Sequence, residues 1–122
     1  MWKLCMQTLI VVCGWPASGK TTIARILEEK LGIHRIDIDP MRKVSFGMPY
    51  PHPDSEPDLM KKDDQEMGGS YKMLMNAADI NLGWGRSVII TATFSRKQGQ
   101  DEVLALMARY PNVNLRVVWC VP

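Results

Sequence analysis

Two hydrophobic rhythms alternate along the chain. Leu9-Ile10-Val11-Val12-Cys13 is an unbroken apolar run rich in β-branched residues, which reads as a strand covered on both faces. Ile23, Ile26, Leu27 and Leu31 then recur at helical spacing, and Gly32 stands where a helix C-cap is expected. Continued along the chain, the pattern predicts strands near 8–13, 34–38, 87–92 and 115–121. It predicts helices near 20–31, 57–82 and 97–109, with room for a short one near 40–47. Strands alternating with helices imply a parallel sheet joined by right-handed crossovers. The last run, Leu115 to Val121, reads as a buried strand.

Two stretches depart from the rhythm. Pro49, Pro51, Pro53 and Pro57 make 48–57 an extended loop, and the Ser55 to Asp58 spacing suits a capping box that starts the next helix. That helix carries Met60, Met67, Tyr71, Leu74, Met75, Ala78 and Leu82 as one stripe, with the methionines read as adaptable core filling. Gly68-Gly69 in its middle is expected to weaken or kink it.

With 122 residues, the chain is long enough for one domain with one core, and no internal repeat is visible, so 1–122 is read as a single domain. Hydrophobic content of 46% and charged content of 23% are ordinary for a globular protein, and a net charge of +2 is too small to argue for nucleic acid as the main partner. Cys5, Cys13 and Cys120 form no C-x-x-C pair, which suits a reducing compartment, and His34 and His52 have no partner at metal-ligand spacing. Lys3 ahead of an apolar stretch mimics a signal peptide, but that stretch is better used as the first strand. No run approaches the ~20 apolar residues of a membrane span, so the expected location is cytoplasmic.

The join between the first strand and first helix carries the sharpest chemistry. Gly14-Trp15-Pro16-Ala17-Ser18-Gly19-Lys20-Thr21 fits G-x-x-x-x-G-K-[ST], the P-loop, followed by a second hydroxyl in Thr22. Its glycines let backbone N–H groups turn inward around a phosphate chain at a helix N-terminus, where the helix dipole also favours an anion. Lys20 is placed to reach the β- and γ-phosphates and Thr21 to hold Mg²⁺.

A second constellation closes the second strand, Ile36-Asp37-Ile38-Asp39-Pro40-Met41-Arg42. Ligands of open parallel sheets bind beyond the carboxyl ends of the strands, so Asp39 is expected at the same edge as the P-loop. There a carboxylate can take the proton of an attacking hydroxyl, and Arg42 can clamp an anion. Asp39 before Pro40 also suits a helix N-cap, and the two roles are compatible. Asp37 either binds a Mg²⁺-bound water or faces solvent. The third strand runs Val88-Ile89-Ile90-Thr91-Ala92-Thr93-Phe94; Thr91 and Thr93 can offer hydroxyls to a metal-bound water or serve only β-propensity. Thr93 or Ser95 can cap the next helix, and Arg96 is either a solvated charge or a phosphate contact. Trp15 is unusually bulky for its place and either shields the phosphates or stacks on another group.

In this order, GWPASGKTT, IDIDPMR and VIITATFSR resemble the AAA-domain P-loop kinases, a set that includes polynucleotide kinase, zeta-toxin and chloramphenicol phosphotransferase. The resemblance implies a three-layer α/β P-loop NTPase fold with a mainly parallel sheet and the third strand between the first and second. It implies ATP and Mg²⁺ as cofactors, Lys20 and Thr21 serving them, Asp39 activating an acceptor hydroxyl and Arg42 holding the acceptor. The chain departs from the pattern in two places. Thr91 stands where the family usually has Asp, and the arginine-bearing lid that follows the last strand in the family is not seen, so the chain is expected to be truncated before it.

The first reading is therefore a kinase that transfers the γ-phosphoryl of Mg·ATP to a hydroxyl of a small molecule or a nucleic-acid end. Residues 48–57 and the Met-bearing helix are expected to shape the acceptor pocket. The second reading is a nucleotide-binding regulatory module without transfer, motivated by Thr91. A motor or switch NTPase is disfavoured, because no Asp-Glu pair ends the third strand and no Asn-Lys-x-Asp guanine-reading motif occurs.

Overall fold

The computed structural model describes residues 4–15, 18–38 and 57–121, with side chains in the segment 57–83 from residue 68 onward. The elements run β1 (Thr8–Gly14), α1 (Lys20–Leu31), β2 (His34–Asp37), α2 (Pro57–Gly83), β3 (Val88–Thr91), α3 (Lys97–Arg109) and β4 (Asn114–Cys120). The four strands form one sheet in the order β2-β3-β1-β4, parallel at each pairing. The third strand thus lies between the first and second, as the resemblance implied.

β1 is buried along its whole length because helices cover both faces of the sheet. Its side chains alternate between two cores. Leu9, Val11 and Cys13 join Tyr71, Leu74, Ala78 and Leu82 of α2 with Val103 and Leu106 of α3. Ile10 and Val12 join Ile89, Ala24 of α1 and Cys120, with Leu27 and Leu31 packed alongside. The result is three layers, α2 and α3 on one face and α1 on the other. Each fully buried Leu, Ile or Val here stabilises by roughly 1.5–3 kcal/mol.

Three expectations need correction. The buried line of α1 is Ala24–Leu27–Leu31, while Ile23 and Ile26 are exposed; the small Ala24 lets the helix sit close to the sheet and rotates those isoleucines outward. α2 runs unbroken through Gly68-Gly69. A Cβ on Gly68 would lie 3.3 Å from Nε2 of Gln98, so the glycine admits the start of α3. β4 is not a buried strand: it pairs only with β1, and Val117, Trp119 and Val121 on one side of it are exposed.

The amino edge of the sheet is tied shut. Gln7 Nε2 donates to the carbonyls of Leu82 and Arg86, both at 2.9 Å, and Ser87 Oγ accepts from the Thr8 N–H at 2.9 Å. Gly32 ends α1 in the left-handed conformation, its N–H donating to Glu28 O at 2.9 Å. At the carboxyl edge, by contrast, the loops leave a cleft.

Candidate functional site

The cleft begins where β1 ends. Gly14 has φ +146°, and a Cβ on it would sit 2.3 Å from the carbonyl oxygen of Cys120, so both the backbone conformation and the neighbouring strand require glycine. Gly19, the N-cap of α1, has φ +87° but open space around it, so only its backbone conformation demands glycine. Between them Ser18 N–H donates to Trp15 O at 3.2 Å, and Ile23 N–H donates to Gly19 O at 3.0 Å as the helix starts. Lys20 Nζ folds back to the carbonyls of Gly14 (3.1 Å) and Trp15 (3.0 Å). Ser18 Oγ is buried with no hydrogen-bond partner among the described residues. No acidic residue occupies the first turn of α1, so the positive end of its dipole is uncompensated. An orphaned buried hydroxyl, a lysine and a bare helix N-terminus around one curled loop fit a bound phosphate.

Thr21 and Thr22 are exposed in the first turn of α1. Pro16, Ala17, Asp39 and Arg42 lie outside the described residues, as do the short helix near 40–47, the loop 48–56 and Ser55.

Asp37 does not simply face solvent: its side chain is 21% exposed and both carboxylate oxygens accept hydrogen bonds. Arg35 Nη1 donates to its Oδ2 at 2.6 Å, and Thr91 Oγ1 donates to its Oδ1 at 2.5 Å. The strand register sets Asp37 directly against Thr91. Glu28 steadies Arg35 from α1, accepting from the Arg35 N–H at 3.1 Å and lying 3.7 Å from its Nε. Two strand spacings, about 10 Å, separate Asp37 from β1. Among the described residues no three carboxylates, histidines or cysteines group as a metal site.

The third wall is the loop from β3 to α3. Phe94 has φ +51°, the one described non-glycine residue with positive φ. For a bulky side chain that is strained and costs on the order of 1–3 kcal/mol. Tyr71 holds it there: its hydroxyl oxygen accepts from the Phe94 N–H at 3.0 Å and lies 3.4 Å from Thr93 Oγ1. Gln100 Nε2 donates to Phe94 O at 2.9 Å, and the missing side chain of Gly99 makes room for the Tyr71 ring. The loop so pinned lines a cleft of about 310 Å³ with Thr93 and Ser95, facing Gly14, Trp15 and Trp119. Arg96, not Thr93 or Ser95, is the N-cap of α3, with no side-chain capping bond.

Cys13 lies beneath the loop. Burial, and then the neighbouring Cys120, push its thiol above the ordinary value, with Lys20 opposing, so it remains protonated. Sequence reasoning passed over Trp119, Tyr71 and Arg35. Trp119 was hidden in a run read as buried and Tyr71 in a core stripe. Arg35 carried a legible signal, since residues i and i+2 of a strand share a face.

With that geometry in view, residues 9–122 match the family described as an AAA domain (AAA_33). The chain belongs to that AAA domain family. No curated protein sequence matches it significantly. Among solved structures, a candidate kinase of Chloroflexus aurantiacus is similar with a TM-score of 0.76 at 23% identity, over 95% of this chain and 60% of that one. The APS kinase CysC of Mycobacterium tuberculosis is similar with a TM-score of 0.67 at 18% identity, over 94% of this chain and 76% of that one. Shikimate kinase of Acinetobacter baumannii gives 0.62 at 18%, over 95% of this chain and 57% of that one. These likenesses establish the α/β P-loop NTPase fold of this AAA domain. The chain spans about 60% of the length of the first of them. No described helix of the AAA domain is long and apolar enough to cross a membrane.

Proposed function

We propose that this AAA domain is the nucleotide-binding part of a cytoplasmic kinase that moves the γ-phosphoryl of ATP to a hydroxyl group. The observation that carries the reading is the Ser18 N–H closing on Trp15 O at the end of β1, with Lys20 on the carbonyls of Gly14 and Trp15 and Ser18 Oγ buried without a partner among the described residues. In this reading the loop's N–H groups and the α1 terminus bind the polyphosphate, with Thr22 beside them, and Lys20 exchanges its two carbonyls for the terminal phosphates. Thr21 would hold Mg²⁺, which would neutralise charge on the phosphates. Asp39 takes the proton of the acceptor hydroxyl, whose oxygen bonds to the γ-phosphorus as the bond to the β,γ-bridging oxygen breaks and ADP departs. Arg42 offsets the charge of the group in transit.

The test is transfer of labelled γ-phosphate from Mg·ATP to alcohols, sugars, nucleosides and 5′-hydroxyl oligonucleotides. Lys20→Ala is expected to abolish transfer, and Asp39→Asn to lower kcat by about 10²–10⁴-fold, the usual contribution of a general base. Transfer that survives Lys20→Ala would refute the reading.

One observation favours a second reading, a nucleotide-binding module without transfer. Thr91 stands where the resembling kinases usually carry Asp, and its hydroxyl is committed to Asp37. ATP bound tightly with no transfer to any acceptor would select it.

A further inference from the structure

The cleft holds two groups for which the proposed transfer has no use. Trp15 and Trp119 line it while 63% and 54% exposed. Both are anchored by backbone. Trp15 follows the glycine that the Cys120 carbonyl forces on position 14, and its own carbonyl is held by Ser18 and Lys20. Trp119 is fixed one residue earlier on the neighbouring strand by its register opposite Cys13. Trp15 thus follows the end of β1 while Trp119 lies in the neighbouring strand β4, and both line the cleft together with Gly14 and the hydroxyl residues Thr93 and Ser95. Two aromatic residues beside hydroxyl residues suit a ligand that is planar and carries polar edges. A volume of about 310 Å³ is enough for one such ring system.

The position also says which substrate brings the ring. Lys20 Nζ rests on the carbonyls of Gly14 and Trp15, so the loop end that handles the terminal phosphates is the end bearing Trp15. The base of a bound ATP lies at the far end of its triphosphate. We infer that this cleft seats the acceptor, and that the acceptor carries a planar heteroaromatic ring of the nucleobase class, stacked on Trp15 and Trp119. The inference rests on the kinase reading. It selects among the acceptors left open above, because simple sugars and aliphatic alcohols offer no π-face.

Calorimetric titration of the 122-residue chain, saturated with Mg·AMPPNP, tests it with adenosine against ribose. Base stacking contributes about 5- to 150-fold in affinity, so adenosine is expected to bind at least fivefold more tightly. Trp15→Ala and Trp119→Ala should each erase most of that preference. Trp119→Phe should keep much of it, which separates stacking from loss of fold. Trp84→Ala should leave it intact, because the Trp84 ring lies against Arg86 outside the cleft lining. Equal affinities for adenosine and ribose, or a preference that survives both alanine variants, would overturn the inference. Adenosine that displaces AMPPNP would overturn it too, by assigning the ring to the donor's base. AMPPNP binding without any adenosine preference sinks this inference alone. Failure of AMPPNP to bind, with the preference intact, sinks the kinase reading and leaves a stacking seat.

Discussion

The same device occurs at opposite edges of the sheet. At the carboxyl edge the Asp37 carboxylate accepts from Arg35 on one oxygen and from the hydroxyl of Thr91 on the other. At the amino edge the Asp79 carboxylate accepts from Arg109 at 2.6 Å and from the hydroxyl of Tyr110, whose oxygen also lies 3.1 Å from the Asp79 carbonyl oxygen. The second cluster lies far from the P-loop and simply joins the end of α2 to the end of α3. Its existence shows that an aspartate gripped by an arginine and a hydroxyl suffices as a structural tie. Asp37 likewise links β2 to β3 through Thr91, and its place at the carboxyl edge does not by itself make it a metal carboxylate. The clusters differ in exposure: Arg35 is 20% exposed and Arg109 65%. A less hydrated pair is screened less, so the Asp37 tie is the stronger one.

The strongest way to break this comparison is Thr91→Asp, which gives back the carboxylate that the resembling kinases carry. Position 91 is 5% exposed and directly opposite Asp37. Two carboxylates would then share one arginine. Like charges across a strand pair and a buried charge both destabilise, so a loss of about 2–3 kcal/mol at pH 7 is expected in urea unfolding. A variant more stable than the parent, with tighter Mg·ATP binding, would mean that Thr91 is incidental and that the edge is built for a second carboxylate.

Asp37→Asn sharpens the comparison further. It removes the charge from two charge-assisted bonds and leaves Arg35 only Glu28, a loss of about 1.5–2 kcal/mol. Asp79→Asn removes the same charge from a pair whose arginine is mostly in water, and about 0.5–1 kcal/mol is expected. Equal losses in the two unfolding midpoints would show that exposure does not set the difference. Nucleotide affinity distinguishes them again: if Asp37 is a tie, Asp37→Asn leaves Mg·ATP affinity within about twofold, whereas the role of metal-water partner requires a drop of about tenfold or more.

Why the sequence discloses one edge of the site and not the other follows from how each is built. The P-loop is a local object, in which glycine spacing and the turn it permits lie within eight consecutive residues, so its conformation and its neighbours are written together. Element bounds were legible for the same reason: α1 occupies the predicted 20–31 and α3 the predicted 97–109. The Asp37 tie is not local. Arg35 shares its face by strand alternation, but Thr91 meets it only through a register between segments 54 residues apart. Gly68-Gly69 misled for a related reason. The penalty of about 1 kcal/mol per helical glycine is real, yet close approach of Gln98 at Gly68 overrides it. Strand β4 misled because a run of apolar residues does not reveal which of its faces, or which edge, the sheet leaves open.

The smallest effect concerns the amino-edge tie and is read through pH. The hydrogen bond to Asp79 is the main reason the Tyr110 phenol holds its proton above the ordinary value of 10.0. Ionising it would set a phenolate against a carboxylate. Because the folded-state pKa is raised, the stability this bond contributes is fully present below about pH 10 and is lost as pH climbs through the raised value. Tyr110→Phe deletes the bond and the titration together. The variant should be slightly less stable than the parent at pH 8, and the gap should narrow as pH rises above 10 in paired urea midpoints. Asp37 has no such limb, since its hydroxyl partner is a threonine that does not titrate there. Thr91→Val should therefore lower stability by an amount that is the same at pH 8 and pH 11. A gap that narrows for Thr91→Val as well would mean that general alkaline unfolding, rather than the chemistry of each hydroxyl, governs both edges.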